Sequence, residues 1–155
     1  MFKKIFFIIL VSIFLSNCGF NPIYSNKTIS NFSIASTTFD GDRIINNYIE
    51  SNLKQFKNEK FEKLFSLKIS TDYKKEILTK DKTAKITNYS LINTTLIEIS
   101  SNGKVIKEMT ITSNKNIDNI DDEFEEEKNE IISKQNFAYE IAQQIVTELS
   151  ILNDY

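Results

Sequence analysis

Cys18 is the only cysteine in a chain of 155 residues that contains no histidine, and its setting suits one chemistry, acylation of the thiol. It closes the tetrad Leu15-Ser16-Asn17-Cys18 and is followed by Gly19. The tetrad resembles a bacterial lipobox, with an aliphatic residue three places before the cysteine and a small polar residue next. Asn17 stands where Gly, Ala or Ser usually precedes the cut. Upstream, Lys3 and Lys4 form a cationic start to an apolar run from Ile5 to Leu15 that only Ser12 interrupts. That run has the length of a signal-peptide core, whereas a membrane-spanning helix needs roughly 20 apolar residues. The expectation is that residues 1–17 are removed and that Cys18 receives a thioether-linked diacylglyceryl and an N-acyl chain such as palmitate. One acyl chain holds a protein on a bilayer only marginally, but two or more anchor it stably. Gly19 occupies the place where an inner-membrane retention signal would put Asp, which favours the outer membrane, with the domain facing the periplasm. The competing reading is an uncleaved N-terminal anchor with a free Cys18.

The remaining chemistry is narrow. Without histidine and with one cysteine, Ser-His-Asp triads, Cys-His pairs and Cys/His metal sites are all excluded. A disulfide within the chain is excluded too, so packing alone must hold the domain together. The acidic run from Asp121 to Glu127 lacks the Asp-x-Asp-x-Asp-Gly spacing of a calcium loop and reads as a solvated helix start. Asp40 and Asp42 have no further partners that would make them a general acid and base. No enzyme activity, cofactor or metal is expected. Nucleic acid is excluded by compartment and by charge, because losing Lys3 and Lys4 moves the formal balance from −2 to −4.

Lysines supply the one uneven feature. Residues 54–86 carry ten lysines against five acids. If the two strands flanking this stretch form a hairpin, Lys74, Lys75, Lys80, Lys82 and Lys85 gather at its tip. Such a cluster of ammonium groups suits the phosphates of a lipid headgroup, as point charges that need no bidentate geometry. Exposed lysines usually do nothing specific, so a solvated hairpin end is the default reading.

These groups need elements to hold them. The 155 residues less the first 17 leave 138, enough for one domain with one modest core. Residues 18–28 read as a lipidated tether and 29–155 as the domain. Phe32 and Ile34 alternate in a first strand, expected over Ile29–Ser36. Asp40-Gly41-Asp42 supplies turn and N-cap chemistry. Ile45, Ile49, Leu53 and Phe56 then recur at helical spacing. Strict alternation from Phe65 to Tyr73 gives a second strand, and Lys74–Lys82 reads as a charged connection. A third strand is expected from about Lys85 to Ser100. Tyr89, Leu91, Ile97 and Ile99 share one parity and Ile86, Ile92 and Leu96 the other, so a bulge or partial burial of both faces is expected. Asn102-Gly103 is a type I′ hairpin signal. A fourth strand follows, with Val105, Met109 and Ile111 inward. From Asp121 the period changes, and Ile131, Ala138, Ala142, Ile145, Leu149 and Leu152 form one stripe of a long helix whose acidic start suits its dipole. The order β-α-β-β-β-α gives an α+β fold, a two-layer sandwich of a mainly antiparallel four-stranded sheet packed by two helices. Aromatic residues fall mostly on strand and helix faces and read as core.

Two segments carry a family resemblance. Cys18-Gly19-Phe20-Asn21-Pro22-Ile23-Tyr24 resembles the mature start of the LPS-assembly lipoproteins (LptE), in which Cys-Gly-Phe, a variable residue, Pro, an aliphatic residue and Tyr recur. Phe137-Ala138-Tyr139-Glu140-Ile141-Ala142-Gln143-Gln144-Ile145-Val146 is similar to the last helix of that family, and the element order matches across the mature chain. The resemblance implies an outer-membrane partner, the LptD β-barrel translocon. It further implies a role as plug and assembly aid in placing lipopolysaccharide in the outer leaflet, possible contact with lipopolysaccharide itself, and no catalysed reaction. A periplasmic lipoprotein auxiliary to a lipid-trafficking ABC transporter is the alternative. It would not be expected to carry the Cys-Gly-Phe-x-Pro-Ile-Tyr start. A membrane-tethered hydrolase is disfavoured by the missing His and Cys chemistry.

Overall fold

In the computed structural model, residues 32–57 and 63–153 are described. Cys18, the expected signal segment, the tether and the first residues of the expected first strand lie outside them. The elements run β1 (Phe32–Gly41), α1 (Arg43–Leu53), a 3-10 turn (Lys54–Phe56), β2 (Lys63–Lys80), β3 (Ile86–Ser101), β4 (Lys104–Asp118) and α2 (Glu123–Asn153). The order is the one the sequence implies, and the fold is α+β. The sheet is ordered β1-β2-β3-β4, with β1 parallel to β2 and the other two pairings antiparallel. A parallel pair needs a crossover, and α1 with its 3-10 turn supplies it.

Both helices pack on one face of the sheet. Phe32 and Ile34 from β1, Phe65, Leu67 and Ile69 from β2, and Ile97 and Ile99 from β3 point into a single core. Ile45, Ile49 and Leu53 from α1 and Ala138, Ile141, Ala142, Ile145 and Leu149 from α2 close it. A smaller cluster of Leu91, Ile117 and Phe137, flanked by Tyr73 and Tyr89, lies under the far half of the β2–β3 hairpin. Among the described residues the buried polar side chains are Ser33, Asn46, Thr71, Asn93, Thr95, Ser133 and Lys134.

Four departures from the pattern have physical causes. The segment Lys74–Lys82 is not a connection: β2 continues to Lys80, paired with β3 through Lys80↔Ile86. Its lysines are tolerated because one face of the strand is open to water and the inward Lys75 meets carboxylates of α2. In β3 the odd positions from Leu91 to Ile99 are buried and Leu96 is exposed, so one face takes the core. The bulges sit at the ends instead, near Thr79 and between Ile99 and Ser100. The second of these turns Val105, expected inward, to 53% exposure, because Ile99 pairs with Lys107 while Ser100 pairs with Val105. On α2 the inward stripe is centred on Phe137 and Ile141 as well as the alanines, while Ile131 and Leu152 are only partly buried. The Asn102-Gly103 turn has φ of 51° and 75°, as type I′ demands.

Candidate functional site: an ion-paired clasp and an open sheet face

The residues with most chemical character on the helix side meet where α1 begins and α2 has made two turns. Asp42 is the N-cap of α1: its Oδ1 accepts from the Ile45 N–H at 2.9 Å. Its other oxygen, Oδ2, lies 3.0 Å from Lys134 Nζ. Glu126, Glu130 and Lys134 are four apart on α2 and so share one face. From β2, Lys75 Nζ reaches Glu126 at 2.8 Å and Glu130 at 3.0 Å, and lies 4.5 Å from the centre of the Tyr89 ring. Lys134 Nζ lies 3.5 Å from Glu130 and 3.9 Å over the Tyr73 ring. Lys75, Glu126, Glu130 and Lys134, with Ile44 and Ile131, line a crevice of about 440 Å³.

Charges alternate here, so each ion has an opposite charge beside it. Burial pushes the Glu130 carboxyl up, but the hydrogen bond from Lys75 and the charges of Lys75 and Lys134 outweigh it and hold Glu130 below its usual value. Burial likewise presses the Lys75 ammonium down, and Glu126 and Glu130 more than offset it. Tyr73 is raised, first by burial and then by the Glu130 carboxylate that faces its buried hydroxyl. Among the described residues no group of three or more Asp, Glu, Cys or His could hold a metal ion. The arrangement is suited to fastening the β2–β3 hairpin and α1 to α2.

A depressed carboxyl stabilises the fold above its unfolded value, and that contribution is lost as pH falls through its folded value. The Glu130 contribution should therefore be complete well above pH 4.5, the ordinary value, and disappear below it. Denaturant titrations at pH 7 and pH 3.5 should show a larger loss for the wild type than for Glu130→Gln. Equal losses would remove Glu130 from the clasp.

The lysines singled out in the sequence do not form one cluster. Lys75 faces α2. Lys74 points the other way and pairs with Asp72 at 3.0 Å on the open face of the sheet. Lys85 caps the hairpin end and reaches Asp121 at 2.8 Å. Lys80 and Lys82 are exposed at the same end and form no ion pair among the described residues. The turn that joins β2 to β3 is held by Asp81, whose Oδ1 accepts from the N–H groups of Thr83 and Lys85 and whose carboxyl is lowered chiefly by its hydrogen bonds from Thr83. Lys134 and Asp42 were legible only as helix residues; the Asp at the cap position was the available signal.

The second surface is the sheet face without helices. Pairing places Thr38, Lys68, Glu98 and Glu108 side by side across the four strands, with Ser70, Leu96 and Thr110 in the next row. Lys68 and Glu98 are joined at 2.9 Å. At the margin, the 15 residues of β4 form an edge strand, mostly exposed, with one side of its backbone unpaired within the sheet.

This architecture recurs in solved lipoprotein structures. Rare lipoprotein B of Shewanella oneidensis superposes with a TM-score of 0.59 at 14% identity, over 76% of this chain and 98% of its own. A minor lipoprotein of Acinetobacter baumannii gives 0.56 at 16%, over 77% and 95%. Lipoprotein B of Nitrosomonas europaea gives 0.56 at 12%, over 81% and 88%. No family model and no curated protein sequence matches the chain. At these identities what is shared is the fold, and it is shared over nearly the whole length of each lipoprotein. None of the helices in the described residues is long and apolar enough to cross a membrane.

Proposed function

We propose that this protein is a lipoprotein anchored through Cys18 to the outer membrane, facing the periplasm, and that its domain partners an LptD-like β-barrel in lipopolysaccharide assembly as plug and assembly factor, without catalysing a reaction. The observation that carries this reading is the shared fold: a domain that several lipoproteins possess almost in full stands behind a lipobox and a start resembling the LptE family. The open sheet face and the β4 edge suit such a partner. An open face rich in hydroxyls and paired charges is matched to a polar surface, and an unpaired edge can extend its ladder onto another backbone. For contact with the phosphates of lipopolysaccharide, Lys80 and Lys82, which form no ion pair among the described residues, are the best placed, since Lys75 is occupied by Glu126 and Glu130.

Affinity purification of the processed protein from solubilised outer membranes tests the proposal. A large β-barrel in stoichiometric amount is expected. Inner-membrane transporter subunits in its place, or no barrel at all, would overturn it.

A further inference from the structure

The fold has two unlike ends, and the chain leading back to Cys18 leaves from one of them. Phe32, where β1 begins, pairs with Lys63, the first residue of β2. Lys63 Nζ is in turn 2.6 Å from the carbonyl of Leu152 and 3.0 Å from that of Asn153, at the end of α2. The Phe32 ring stacks on Phe56 at 5.9 Å, which brings the end of α1 to the same place. Ser101 Oγ donates to the Leu64 carbonyl at 3.3 Å, which adds the Asn102-Gly103 hairpin. One pole therefore gathers the exit toward residue 18, the ends of both helices and the β3–β4 turn.

Among the described residues, that pole is apolar and cationic at its surface. Leu64, Val105, Ile106 and Ile151 are 44%, 53%, 45% and 48% exposed. Of the lysines beside them, Lys57 is paired with Glu50 and Lys107 with Glu148. Lys54 and Lys104 form no ion pair among the described residues. The acidic start of α2 lies at the opposite pole, next to the hairpin tip that holds Lys85 against Asp121.

We infer that this pole is a bilayer-contact surface, with Leu64, Val105, Ile106 and Ile151 entering the headgroup region and Lys54 and Lys104 meeting anionic lipid headgroups. The inference rests on the reading of Cys18 as the lipid anchor. Thirteen residues separate Cys18 from Phe32, a span of at most about 50 Å. Four scattered aliphatic side chains bind a bilayer weakly on their own, but a tether this short converts that contact into an intramolecular one at high effective concentration. The lysines add attraction that acts only within a Debye length of an anionic surface. Charge and apolarity both point the same way as the tether.

The chain has no tryptophan, so a single one reports its own surroundings. Val105→Trp and, at the far pole, Ile77→Trp would each be introduced into the full chain and purified as the processed protein. Each would be reconstituted in phosphatidylethanolamine–phosphatidylglycerol vesicles with brominated acyl chains. Quenching at Val105→Trp should exceed that at Ile77→Trp about twofold or more, with a blue-shifted emission, and should weaken when phosphatidylglycerol is omitted. Vesicle flotation and the mass of the protein report the anchor separately. A lipidated protein that floats with both reporters quenched alike, or neither, overturns the bilayer-contact surface and leaves the anchor standing, the pole then facing a protein or water. A protein that is unlipidated and fails to float overturns both.

Discussion

Replacing Gly41 by alanine should cost about 3 kcal/mol or more, a large part of a total stability of the order of 5–15 kcal/mol. Gly41 has a φ of +92°, a conformation that side chains with a Cβ rarely adopt. A Cβ there would also stand 1.8 Å from the Thr71 carbonyl oxygen and 2.9 Å from the Thr71 hydroxyl. Neither group can withdraw cheaply. The Thr71 carbonyl accepts from the Asp42 N–H, and its hydroxyl donates to Asn46 Oδ1 at 3.0 Å, while Asn46 Nδ2 donates to the Asp40 carbonyl. The substitution therefore strains the turn and displaces the corner at which β1, β2 and α1 are fastened. Gly103→Ala is the control. It shares a positive φ, 75°, but a Cβ there meets nothing, so only the left-handed backbone penalty of about 1–2 kcal/mol applies. Urea denaturation of the two variants should show a midpoint shift at least twice as large for position 41. Equal shifts would mean that the close approach to Thr71 is relieved by movement.

The same corner shows what a sequence can disclose and what it withholds. Asp40-Gly41-Asp42 advertises a turn and a cap because only particular residue types tolerate those dihedrals and orphan N–H groups. Asn102-Gly103 advertises its hairpin for the same reason. Phe65 to Tyr73 advertises a strand because one face is dry and the other wet. These signals are local. Whether β1 runs parallel to β2, which strands lie at the sheet margins, and where Val105 points are set by pairing between distant segments. A single bulge near Ile99 reverses the last of these without any mark in the residues of β4. Polar residues on the inner face were hidden by their own type. Asn93, Thr95 and Ser133 are buried, yet each reads as surface when hydropathy alone is weighed, whereas the alternation from Phe65 to Tyr73 does place Thr71 inward. Lys75 reads as part of a connection because a lysine run breaks the apolar alternation; its partners, Glu126 and Glu130, come from a helix about fifty residues on. The clasp was therefore invisible as a unit, although each of its charges was in plain view.

Lys134 tests whether that clasp is a structural necessity. Its side chain is 9% exposed, and its ammonium lies between Asp42, at 17%, and Glu130, at 21%. Lys134→Met keeps the length and apolar stem of the side chain but removes the charge, leaving two carboxylates near the Tyr73 ring. Breaking one side of a buried pair costs about 3–5 kcal/mol. Glu130 retains Lys75 and Asp42 retains the Ile45 N–H, so the loss should fall to about 2–3 kcal/mol, most of it arising at Asp42. Asp42→Asn supplies the second side of the cycle, because asparagine caps a helix about as well as aspartate and deletes only the ion. If the pair acts as the geometry indicates, the double variant should be more stable than the sum of the single losses predicts, by about 1–3 kcal/mol. Strict additivity would show that Lys134 contributes through its packing against Tyr73 and not through Asp42. The helix dipole sharpens the comparison. Asp42 sits at the positive end of α1, where its charge is favoured even without a lysine, so a coupling near the lower bound identifies the dipole as the stronger partner, and one near the upper bound identifies Lys134.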